Sequence, residues 1–179
     1  TAMGYSAVAE TTGGANNTGI GHLALQNNTT ASDNTAVGFE ALRANTTGTP
    51  NTAVGYRALK ANTTGIRNTA IGYMAGALVT EGYRNTFVGT YSGQAGTTGF
   101  HNCGLGHSSL NDLTTGDNNI AIGEEAGRGN SPGGSITTAD HRIVIGNNSH
   151  TSAHIKIDWT VTSDERDKAD ITDFTHGLN

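Results

Sequence analysis

Residues 51–65 read Asn-Thr-Ala-Val-Gly-Tyr-Arg-Ala-Leu-Lys-Ala-Asn-Thr-Thr-Gly, with alternation at one end, turn chemistry at the other and few apolar side chains to bury. The stretch recurs. With Asn51 as position zero, position four is Gly55, and glycine returns at one constant interval in Gly4, Gly21, Gly38, Gly72, Gly89, Gly106 and Gly123, a 17-residue period. Position three is always large and apolar: Met3, Ile20, Val37, Val54, Ile71, Val88, Leu105 and Ile122. Position one is Thr until Cys103 and Ile120, and position zero is Asn in seven consecutive copies from Asn17 to Asn119. A fixed period near twenty residues is the signature of stacked repeats, in which each unit buries its apolar face only against its neighbours.

Composition points the same way. Twenty-six glycines, two prolines, 34% apolar and 14% charged residues describe a chain rich in turns and poor in core, yet too weakly charged for an ordinary disordered tail. The net charge of -5 comes with basic residues scattered singly, which gives no footprint for nucleic acid. No apolar run approaches the roughly 20 residues of a membrane span, and no signal peptide or cofactor motif is recognised. Cys103 is the only cysteine, and its place in the repeat assigns it to a buried thiol rather than a nucleophile. Thr1 enters inside a repeat that lacks its Asn, so the chain is expected to be part of something longer.

Within one unit, Asn-Thr-Ala-Val-Gly alternates, and positions one and three share a face dominated by β-branched residues, as in a short strand. That face, with Val54 in the quoted copy, is expected to point inward together with Ala58 and Leu59. Identical strands one circuit apart would pair in parallel about 4.8 Å from each other, making a rod on the order of 40 Å long. Positions five to ten, Tyr56-Arg57-Ala58-Leu59-Lys60 in the quoted copy, suit one helical turn or a second short strand. The following Asn-Thr-Thr-Gly is turn chemistry, and stacked Asn at position zero predicts a ladder of side-chain amides. The fold class is therefore all-β, a parallel β-solenoid or β-roll of 17-residue repeats over 1–146. So few inward apolar groups per circuit make a lone rod marginal, and a homotrimer is the expected remedy. Aromatic or His residues at position five (Tyr5, His22, Phe39, Tyr56, Tyr73 and His107) are either the face between chains or an exposed stacking ladder.

The repeat resembles those of phage tail fibres and, more loosely, the head repeats of trimeric autotransporter adhesins, which share a short Asn-(Ser/Thr)-x-(Ile/Val)-Gly motif. The 17-residue spacing is longer than the adhesin repeat.

After Gly123 the next matching glycine is Gly146, farther on than the period allows, so a surface loop is expected around Gly129 to Gly134, within 129–135. From Ala153 to Val161 apolar and polar residues alternate, as in a half-buried connecting strand within 147–162. There follows Thr162-Ser163-Asp164-Glu165-Arg166-Asp167-Lys168-Ala169-Asp170-Ile171. On chemistry alone Ser163 can be a helix N-cap. The segment also resembles the opening of the endosialidase-type intramolecular chaperone, the self-cleaving C-terminal domain of many phage tail spikes and fibres. Ser163, Asp164, Arg166, Lys168 and Ile171 match that hallmark, and Asp167 stands where Leu is usual. The resemblance implies that Ser163 is the nucleophile and Lys168 its base, with 163–179 the truncated start of the domain. A serine hydroxyl needs such a base, and a partly desolvated lysine can serve.

Other motifs point less far. Gly-Ile-Gly-His at 19–22 and Gly-Leu-Gly-His at 104–107 are assigned to the repeat rather than to phosphate binding, lacking a third glycine and a following helix. Adjacent Glu124 and Glu125 are expected to diverge, against a glycosidase pair. His150 and His154 in an extended segment are not expected to share a metal. Threonines Thr18, Thr35, Thr52, Thr69 and Thr86 raise ice binding, but the inward parity assigned to them places them in the core. The resemblances imply a structural and host-recognition segment of a trimeric fibre in a virion tail, outside the cell. Its partners would be its own copies and a host surface receptor, a polysaccharide or outer-membrane component. Alternatives are a bacterial surface adhesin head and a polysaccharide depolymerase tail spike.

Overall fold

The computed structural model describes residues 1–151. Nine short strands follow one another: β1 (Ala2–Met3), β2 (Thr18–Ile20), β3 (Thr35–Val37), β4 (Thr52–Val54), β5 (Thr69–Ile71), β6 (Thr86–Val88), β7 (Cys103–Leu105), β8 (Ile120–Ile122) and β9 (Ile143–Ile145). They form one parallel sheet in sequence order, and no helix occurs among the described residues. From β1 to β8 each pairing advances by one period, as in Val37 with Val54; β8 to β9 takes a longer step, as in Ile122 with Ile145. The chain is a β-solenoid, and one 17-residue circuit is called a coil below.

The inward face is the opposite of the expected one. Position two is buried, in Gly19, Ala36, Ala53, Ala70, Phe87, Gly104, Ala121 and Val144, whereas Val54 and Thr52 on either side of Ala53 are only half-buried. The reason is the bore of the coil. Ala53, Ala58, Leu59, Asn51 and Asn62 already converge from three sides, so only a small residue fits inward from the strand. Even positions also share a parity, and the buried Asn at position zero carries position two with it. Cys103, at position one, accordingly lies half-buried on the outward face.

The expected Asn ladder at position zero runs amide to amide in the upper coils, where Asn102 Nδ2 donates to Asn85 Oδ1 and Asn119 Nδ2 to Asn102 Oδ1 at 3.2 Å, and through the backbone elsewhere. At position zero Asn51 Nδ2 donates to the Gly65 carbonyl (2.8 Å), and Asn51 Oδ1 accepts the backbone N–H of Asn68 (2.9 Å). Each amide thus ties the end of its own coil to the start of the next. A ladder running from amide to amide also occurs at position eleven, where Asn62 Nδ2 donates to Asn45 Oδ1 (2.8 Å) and Asn45 Nδ2 to Asn28 Oδ1 (3.0 Å).

Positions five to ten are neither helix nor strand. Positions six and eight take left-handed backbone, with φ of 56° at Arg57 and 48° at Leu59. The N–H groups of Ala58, Lys60 and Asn62 then bond back three residues, to the carbonyls of Gly55, Arg57 and Leu59 at 3.1–3.3 Å. Those of Arg57, Leu59 and Ala61 reach neighbouring coils, donating to Phe39, Ala75 and Ala77 at 2.8–3.1 Å. Every N–H from Arg57 to Asn62 is satisfied, which offsets a left-handed cost of roughly 1–2 kcal/mol per non-glycine residue. Glycine at position four is required twice: Gly21 has φ 130°, and a Cβ there would lie 2.6 Å from the carbonyl oxygen of Gly38.

Candidate functional site

Because position two fills the bore, the large residues of position three stand outside. Met3, Ile71, Leu105, Ile122 and Ile145 are all more than a third exposed, and Ile20, Val37, Val54 and Val88 complete the column half-buried. Beside it, at position one, runs the threonine column, Thr18, Thr35, Thr52 and Thr69 half-buried and Thr86 exposed; the assignment of these threonines to the core is corrected. Cys103, Ile120 and Ile143 replace Thr at the upper end.

On the other flank the position-five rings stack. Tyr5, His22, Phe39, Tyr56 and Tyr73 lie 4.9–5.4 Å apart, centroid to centroid, with interplanar angles of 7–14°. The spacing is that of neighbouring strands, close to about 4.8 Å, so each ring face is covered by the next ring and the ladder offers edges rather than faces. It ends where Thr90 takes position five and Tyr91, one residue on, meets Tyr73 edge-on at 83°. Desolvation, then the neighbouring Tyr73 hydroxyl, raises the Tyr91 hydroxyl above its usual titration range.

The turn side of the coils carries the charge. Glu40 is 5% exposed and receives Arg43 at 2.7 Å, Arg57 at 2.7 Å and Lys60 at 3.2 Å. Burial by itself raises its carboxyl, but the hydrogen bonds and charges of Lys60 and Arg57 outweigh it and hold the group below its ordinary value. Farther up, the inserted residues form a cleft of about 240 Å³ lined by Asp112, Glu125, Arg128, Gly129, Asn130 and Ser135. Arg128 meets Glu125 at 3.0 Å and Asp112 at 3.4 Å, and Ser135 Oγ donates to Asp112 at 2.8 Å. The loop is closed by buried Ser131, whose hydroxyl donates to the Arg128 carbonyl (2.7 Å) and accepts the Gly127 N–H (3.1 Å). Ile136, fully buried, then returns the chain to the core.

Ser163 and Lys168, the residues that the chaperone resemblance singles out, lie outside the described residues, as do the strand expected from Ala153 and the partner His154. His150 Nδ1 accepts the Asn147 N–H at 3.1 Å within its own turn. Gly21 and Gly106 donate their N–H groups to Met3 and Val88, which leaves them no donor for a phosphate. Glu124 and Glu125 do diverge, the first 3.6 Å from His107 and the second on Arg128. Comparison with family models, curated proteins and solved structures gives no match for this chain. Two groupings escaped the sequence reading, the Glu40 cluster and the cleft. Both hold the same local signal, an acid at position six with Arg three residues on (Glu40 with Arg43, Glu125 with Arg128), on a segment whose conformation was open.

Proposed function

We propose that this solenoid is a shaft and host-recognition segment of a trimeric phage tail fibre, followed by the start of a self-cleaving chaperone in which Ser163 attacks and Lys168 acts as base. The observation that carries the reading is the outward column from Met3 to Ile145, large and apolar in every coil, with Ile71, Leu105 and Ile122 more than a third exposed and Ile20, Val37, Val54 and Val88 half-buried. Outward apolar residues aligned in one column are what an association surface is built from. Three chains sharing the face would hide it, and the charged turn side with its cleft would then point outward, where a receptor glycan is met. Slow, non-local parallel pairing that tolerates register slips also explains the use of a removable template. The test is the mass in solution. A species of three times 18.4 kDa that resists SDS is expected; a stable monomer at all concentrations overturns the reading.

A second reading rests on a specific observation. Thr18, Thr35, Thr52 and Thr69 lie outward in a regular column beside Ile20, Val37, Val54 and Ile71, a flat array of hydroxyls and methyls suited to ordered water or ice. This use requires an uncovered face, so it goes with a monomer. Thermal hysteresis by the monomer supports it, and its absence removes it.

A further inference from the structure

Arg67, Arg84 and His101 are scattered singly in the sequence, yet they stand one period apart, at position sixteen of three successive coils. Stacking brings them into one exposed column, about 4.8 Å from coil to coil. Beside them at position fifteen are Ile66, Tyr83 and Phe100, all half-buried, and the two rings stack at 4.7 Å and 8°. The Arg84 guanidinium lies over Tyr83, 5.9 Å from the ring centroid. Arg84 Nη1 donates to His101 Nε2 at 3.1 Å, which leaves the imidazole its Nδ1–H as a donor. No carboxylate answers this column. Among the described residues Arg43, Arg57, Lys60 and Arg128 are in ion pairs with carboxylates, whereas Arg67 and Arg84 are in none, although Glu81 stands exposed three residues before Arg84. The acids above the column are engaged by the backbone: Asp117 Oδ1 accepts the Phe100 N–H at 2.9 Å, and Asp140 Oδ1 accepts the Asp117 N–H at 2.7 Å. For Ile66 and Tyr83 the position-fifteen residue of the coil above is Tyr83 or Phe100, a ring with no acceptor near the backbone. Their N–H groups have no acceptor among the described residues.

From this we infer that the corner from Arg67 to His101 is a binding track for an acidic polysaccharide, whose carboxylates meet the two guanidinia and the His101 Nδ1–H while its sugars lie along Tyr83 and Phe100. The inference rests on the recognition half of the reading above and adds the place and the chemistry of the ligand. The occupant is argued from charge. Two guanidinia one coil apart repel each other with no local counter-charge, and the planar fork of arginine takes a carboxylate in bidentate fashion. The backbone N–H groups of Ile66 and Tyr83 add partial positive charge at the same corner. Acids bound the track at both ends, Asp33 at position sixteen two coils below Arg67 and Asp117 at position fifteen of the coil above Phe100. The positive stretch therefore spans about 10 Å. A sparse polyanion, with its charges spaced by sugars, fits a short track between carboxylates. The dense phosphates of a nucleic acid would run onto those carboxylates, on a chain of net charge -5. Tyr83 and Phe100 also cover one another's faces, which leaves bases little to stack on.

The test is titration with polygalacturonate, a polymer of carboxylated sugars, against neutral dextran and single-stranded DNA. The wild-type chain is expected to bind polygalacturonate with an affinity that falls as salt rises, and to leave dextran unbound. Arg67→Gln and Arg84→Gln should each weaken binding about tenfold, as for the loss of a hydrogen bond to a charged group. Arg142 is exposed, outside every carboxylate ion pair among the described residues, and beyond Asp117 and Asp140 in the stack. Arg142→Gln changes the net charge equally and should weaken binding less than about twofold. Equal weakening by all three variants means a response to net charge and overturns the track. Absence of wild-type binding, or equal binding of dextran, overturns the ligand class. Tighter binding of single-stranded DNA at the same salt assigns the corner to nucleic acid and overturns it as well. Hydrodynamic mass of the same samples tests the trimer separately: a monomer that binds through Arg67 and Arg84 overturns the fibre and keeps the track. Circular dichroism of each variant detects misfolding, and Arg84→Lys, with about a threefold loss expected, replaces a glutamine variant that fails to fold.

Discussion

The ring of Phe87 lies against Gly93, where a Cβ would collide with ring atoms Cδ1 and Cε1, and fills from the strand side the space that leucine fills from the turn side in other coils. Position two is otherwise Ala, Gly or Val, and position eight is Leu at 25, 42, 59 and 110 but Gly at 76 and 93, the two coils flanking the ring. At Gly127, the third glycine of that column, the Ile136 side chain of the inserted loop takes the leucine's place. Core volume is thus kept while its source moves to another wall.

Phe87→Ala is expected to cost about 3–5 kcal/mol by leaving a cavity. Adding Gly93→Leu should recover at least half of that, because φ at 93 is 58°, the region Leu42 and Leu59 already occupy at 49° and 48°. Gly93→Leu with the ring present should be destabilising on its own. Urea denaturation of the two single variants and the double variant measures the coupling, and additive effects would refute the exchange of volume.

Asn51→Ala removes one amide from the position-zero ladder and leaves the buried Asn68 N–H without its partner, while the Gly65 carbonyl keeps the Asn62 Nδ2 donor at 3.1 Å. The expected loss is about 1–3 kcal/mol. Amide hydrogen exchange at Asn68 should accelerate far more than at Asn119, several coils away. Uniform acceleration along the rod would mean that the coils open together.

The folded-state titration of Glu40 lies below its ordinary value of 4.5, so its contribution to stability is complete above about pH 4.5 and is lost as pH falls through the lower folded value. Glu40→Gln should therefore cost about 1–2 kcal/mol near neutrality, discounted because Arg43, Arg57 and Lys60 are about a third exposed. The wild-type advantage should shrink as pH falls below about 4.5 and be lost once the folded-state carboxyl is protonated. Melting curves of both proteins from pH 7 to 3 test this, and an advantage that grows on acidification contradicts the assigned cluster.

Ser131→Ala deletes the hydroxyl that closes the inserted loop, with a local cost of about 1–2 kcal/mol. Proteolysis should then begin within 129–135 while the coils below remain protected. Cleavage first in the lower coils would show that the loop is not an independent element.

Period, register and parallel pairing were legible in the sequence, because identical residues one coil apart can meet only by stacking: Val37 beside Val54 needs no further knowledge. The face to which Val54 belongs was not. A strand of three residues gives one alternation, whose phase depends on what stands across the bore, and β-branching alone chose wrongly. The small residues at position two, with Asn at position zero on the same parity, were the available signal. The turn-side groupings were hidden for a related reason. Glu40 and Arg57 are one full period apart and come together only when left-handed residues at positions six and eight set the width of the turn.

By itself, the amino-acid sequence determined that this chain climbs in equal steps, since a constant interval between like residues leaves stacking as the way to satisfy backbone and side chains together. Only the tertiary structure decided inside from outside. The bore admits alanine and amides and excludes valine and isoleucine from most coils, so the side chains that a strand ordinarily hides line the outer face, the one that β-branching had assigned to the core.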